Sequence, residues 1–105
     1  SMNWNKRYRD NMEKMRTGNI YEVADIVRNL SFKQKEKGLS TGEKKMLLNA
    51  KQILVSELVL VEQKDLSEIE SLVENKINAS YAEHITALEQ NTSEENIVKK
   101  FIPLN

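Results

Sequence analysis

The sequence predicts an all-α domain, a compact bundle of four to five helices around a long central third helix. Three observations lead there. Apolar residues recur every three or four positions through most of the 105 residues, the period of an amphipathic helix. Two helix-start patterns, Asn19 to Glu22 and Ser40 to Glu43, follow glycines at 18 and 38, so one helix ends where the next begins. One proline and three glycines leave few breaks, and no turn dipeptide separates alternating runs as a β-hairpin requires.

Composition narrows the class further. Hydrophobic residues make up 39% and charged residues 30%, values of a folded domain rather than a disordered chain. There is no cysteine, which excludes disulfides and thiolate metal sites and fits a reducing, cytoplasmic setting. No apolar run approaches the ~20 residues of a membrane span, so no membrane partner is expected. Ser1-Met2 reads as a remnant of cloning, and the chain as a piece of something longer.

The zero net charge hides a polarity. Residues 1–51 carry 12 Lys and Arg against 6 Asp and Glu, whereas residues 52–105 carry 4 against 10. Such asymmetry points to a polyanion-facing surface, although two ordinary solvated faces would look the same.

The first helix is expected from near Asn3 to Gly18. Trp4, Tyr8, Met12 and Met15 fall on one stripe, the kind of stripe a helix buries. Trp4 admits two readings: a core indole, or an exposed one set beside arginines to meet nucleic acid. The second helix, capped by Asn19, carries Val23, Ile26, Val27 and Leu30 at helical spacing and runs into a polar end before Gly38. The third helix is expected from Thr41 to about Gln63, about 34 Å long. Its start is basic at Lys44, Lys45 and Lys51, and its second half, residues 53–61, is apolar almost all round. A helix of that kind needs cover on several sides. Leu47, Ala50, Ile53, Leu54, Leu58 and Val61 are therefore its expected core. Asp65 opens a fourth helix that bends near residues 78–80 or runs on to Gln90. Thr92-Ser-Glu-Glu95 reads as the start of a last short helix.

Catalytic chemistry is missing. His84 is the one histidine, and no Gly-rich phosphate loop, nucleophile motif or metal-ligand cluster is present. No enzyme activity, cofactor or metal is expected.

Three segments taken together carry a family resemblance: Trp4-Asn-Lys-Arg-Tyr-Arg9; Gly18-Asn with Val23-Ala24; and Lys37-Gly-Leu-Ser-Thr-Gly-Glu-Lys-Lys-Met46 leading into residues 50–58. Over about residues 3–78 the chain resembles the C-terminal helical domain of the CarD/CdnL family of bacterial transcription regulators. The resemblance implies a non-catalytic domain that contacts promoter DNA at the upstream fork of the transcription bubble. A separate N-terminal domain, absent here, would hold the RNA polymerase β subunit. It implies Trp4 as a minor-groove wedge, with Arg9 and Lys44 as DNA-contacting basic positions. Lys6, Arg7 and Lys45 join them on charge and placement. A monomer is expected, and residues 79–105 extend past the resemblance as a helical segment of unassigned role. The competing reading is a protein-interaction module with no DNA role, in which the apolar third helix and acidic fourth helix dock a partner.

Overall fold

The computed structural model describes the backbone of residues 2–101 and their side chains apart from 2–5, 14, 16, 92–97 and 99–101. It holds four helices in the order α1 (Met2–Arg16), α2 (Ile20–Glu36), α3 (Thr41–Glu62) and α4 (Leu66–Phe101). No strand occurs among the described residues. The all-α expectation holds, with four helices.

The joints form where local chemistry dictates them. Gly18 has φ +71° and Gly38 φ +82°, left-handed values that cost a glycine little. The Asn19 side chain accepts hydrogen bonds from the backbone N–H of Tyr21 and Glu22 and so caps α2. At the head of α3 the full capping box closes: Ser40 Oγ accepts from Glu43 N at 3.2 Å, and Ser40 N donates to Glu43 Oε1 at 3.0 Å. Gln63 ends α3 in the left-handed conformation, φ 55°.

The chain divides into two compact units, residues 1–74 and 75–105. In the first, α2 packs on α3, and α1 touches both. Its core comprises Val23, Ile26, Val27, Leu30 and Phe32 of α2, Met46, Leu47, Ala50 and Val55 of α3, and Ile69 and Val73 of α4. The second unit is helical through residue 101. Within it the rings of Tyr81 and His84 lie 6.3 Å apart.

Four expectations are corrected. Ile53 is 39% and Val61 65% exposed, and Leu60 beside it is 74% exposed. The α2–α3 register explains the exposure of Leu60 and Val61. With Lys33 against Glu43, an antiparallel hairpin brings Ile20, the first residue of α2, opposite about Ser56, so α3 outruns its cover. Leu54 and Leu58 are half-buried, and only Leu47 and Ala50 of the expected set are fully buried. On the α1 stripe, Tyr8 is 37% and Met12 43% exposed and Met15 is half-buried, while the Trp4 side chain lies outside the described residues. Finally, α4 is one helix through Phe101, past Gln90, so no separate helix starts at Thr92. No glycine or proline interrupts that stretch, and a cap motif inside a helix does not stop it.

Ile69, fully buried on the first turns of α4, should cost about 2–5 kcal/mol when truncated to Ala. Val61→Ala, at an exposed site, should cost under about 0.5 kcal/mol. Urea unfolding of the two variants checks the placement of the core.

Candidate nucleic-acid interface

The basic side chains that bear on the candidate interface differ in whether they are paired. Lys33 and Lys51 are spent on internal ion pairs. Lys33 Nζ donates to Glu43 Oε2 at 2.6 Å, and Lys51 Nζ donates to Glu74 Oε1 at 2.6 Å. Lys6, Arg7, Arg9, Lys44 and Lys45 are exposed, and no ion pair engages them among the described residues. Their charge is left for solvent or for an anion.

The fold positions them from two helices. Lys6, Arg7 and Arg9 ride on α1. Lys44 and Lys45 follow directly after Glu43, the residue that closes the capping box of α3. The first turn of α3 is therefore rigidly set, and its lysines project from a fixed base. Arg7 and Glu43 line one cleft between α1, α2 and α3, which brings Arg7 near the head of α3. The backbone of Trp4 lies in α1; its side chain lies outside the described residues.

The same cleft encloses about 370 Å³ and has an apolar floor of Ile26, Leu30 and Met46. Asn11 and Asn29 stand on its walls. Sequence reasoning singled out neither asparagine, because nothing in their spacing distinguishes them from solvated helix residues. On the opposite flank of α3, Leu48, Val55, Leu66 and Val73 line a groove of about 560 Å³, edged by Glu70 and Glu74.

The Glu43 carboxyl feels opposed influences. Burial acts most strongly and pushes its pKa up. The Lys33 ammonium, the Ser40 N–H and the Ser40 hydroxyl together outweigh burial and hold it below the ordinary glutamate value. No group of three or more His, Cys, Asp or Glu residues is placed to hold a metal among the described residues. No described helix is long and apolar enough to cross a membrane.

A depressed carboxyl pKa stabilises the fold above the unfolded-state value, and that contribution is lost as pH falls through the folded-state value. Glu43→Gln should therefore cost about 0.5–1 kcal/mol at neutral pH. Its deficit against the wild type should vanish as pH drops below the ordinary glutamate range. Urea midpoints measured from neutral pH down through that range check both parts.

Known proteins place this arrangement. The family described as CarD, C-terminal domain, matches residues 1–74, ending at the residue that closes the first compact unit. Over 58 residues the chain is 48% identical to a Bacillus subtilis (strain 168) protein named "Putative transcription factor YdeB". That match covers 55% of this chain and 38% of the relative, so the chain spans well under half of the longer protein. With a family match across more than two thirds of its length, the chain belongs to the CarD C-terminal domain family.

Proposed function

We propose that this chain is the DNA-contacting domain of a CarD-like bacterial transcription regulator, working in the cytoplasm at the nucleoid. In the full-length protein an N-terminal domain would hold the RNA polymerase β subunit. This domain would then meet promoter DNA at the upstream fork of the transcription bubble. The observation that carries the reading is the set of exposed cations Lys6, Arg7, Arg9, Lys44 and Lys45, which no ion pair engages among the described residues, in a chain whose other half is acidic.

The mechanism needs no catalysis. Cations against phosphates release counterions and give affinity with little sequence readout. Trp4, at the head of α1, would insert its indole at a partly unstacked step. Such a wedge offsets an unstacking cost of a few kcal/mol, and that cost is smallest where the DNA is already melted. The domain would thus act as a ligand for the open state and shift the equilibrium by its differential affinity alone. Tethering to polymerase would raise its local concentration, so the isolated domain, a monomer, should bind free duplex weakly.

The exposed apolar rim of the α3–α4 groove, with Leu48 and Leu66 each 57% exposed, favours a second reading as a protein-docking module. Charge reversal separates the two. Arg9→Glu and Lys44→Glu should each weaken binding to unrelated DNA sequences and flatten its salt dependence by roughly one unit of slope per lost phosphate contact. Unfolding stability should stay within about 0.5 kcal/mol. DNA affinity that survives both reversals together would remove the basic face from the mechanism and favour the docking reading.

A further inference from the structure

The cleft between α1, α2 and α3 shares only Arg7 with the phosphate-contacting face. Its floor of Ile26, Leu30 and Met46 is buried and apolar. Above that floor α1 presents Arg7, Tyr8, Asp10 and Asn11, where an amphipathic helix would normally lay down aliphatic side chains. Asn29 stands on the α2 wall. Polar side chains do not close onto an apolar floor, and a hollow of about 370 Å³ remains, at the small end of the roughly 300–1,000 Å³ range of ligand pockets.

Charge sets the ligand class. The ionic side chains lining the cleft balance, Arg7 and Lys33 against Asp10 and Glu43, and Lys33 is tied to Glu43 at 2.6 Å. A phosphate placed here would meet two carboxylates. An apolar floor rimmed by two carboxamides and one guanidinium suits instead a neutral, flat heteroaromatic ring with hydrogen-bonding edges. Asparagine pairs bidentately with adenine and arginine with guanine, and extruded bases are held by apolar contact on their faces with hydrogen bonds at their edges.

We infer that this cleft takes a single unpaired nucleobase from the melted strand. The inference rests on the DNA-facing reading above. The helix that forms one wall of the cleft also carries Lys6 and Arg9, so backbone contact and base capture belong to one element. A free nucleotide offers the same ring chemistry, and the test distinguishes the two sources.

Fluorescence anisotropy of the whole chain is measured with a blunt duplex, a fork bearing a single-stranded adenine overhang, and the same fork with abasic sites in the overhang. The base-bearing fork should bind about tenfold more tightly than the abasic fork, as contact with one base gives. Asn29→Phe, which fills the cleft from an exposed position, should abolish that preference and leave duplex affinity and the urea midpoint unchanged. Asn11→Ala should reduce the preference without filling the cleft, which keeps the test valid if the phenylalanine disturbs folding. Equal binding to the two forks, with duplex binding intact, overturns the cleft inference and leaves the basic face standing. Failure to bind any of the three DNAs overturns the basic face and the cleft inference with it. Loss of the preference on adding micromolar adenosine monophosphate overturns the melted-strand assignment in favour of a free nucleotide.

Discussion

The Glu43 carboxylate is the constraint on which the first 74 residues depend. One oxygen accepts the Ser40 N–H and completes the cap of α3; the other accepts the Lys33 ammonium at the end of α2. A local and a tertiary requirement therefore meet in one side chain. The cap alone would start α3 without saying where it lies, and the ion pair alone would be a partly exposed contact of small worth. Joined, they fix the register of the α2–α3 hairpin. That register lays Val23, Ile26, Val27 and Leu30 toward Met46, Leu47 and Ala50, the buried centre of the unit.

The electrostatic layout follows from the same joint. Lys33 is withdrawn from the cationic surface by Glu43, and Lys51 by Glu74. The next residues along α3, Lys44 and Lys45, have no such partner and stay in solvent. Cations on α1 and at the head of α3 are among those left exposed. An electrostatic surface of that kind would read backbone rather than sequence.

Much of this was legible in the sequence, and what was not has a physical reason. Caps and left-handed glycines depend on a few neighbouring residues, so Gly18, Asn19, Gly38 and the Ser40–Glu43 box stand where the chain announces them. The apolar end of α3 misleads because cover depends on how long a partner helix is. Val61 looks like core until the register shows α2 running out near Ser56. Thr92-Ser-Glu-Glu95 misleads for the opposite reason: it can begin a helix, but nothing beside it makes one stop. Of the candidate site, the cations were legible as the basic excess of residues 1–51. The cleft was not, because it exists only where Asn11 on α1 faces Asn29 on α2 across a floor supplied by α2 and α3.

Trp4 is the only tryptophan in the chain, so its own emission reports on the central claim that α1 and the head of α3 face melted DNA. Tryptophan fluorescence is titrated with fork-junction DNA and, separately, with blunt duplex of the same length at matched ionic strength. The prediction is solvent-exposed emission from the free domain, strong quenching by the fork and weak quenching by the duplex. Emission already characteristic of a buried indole and unchanged by either DNA would contradict it.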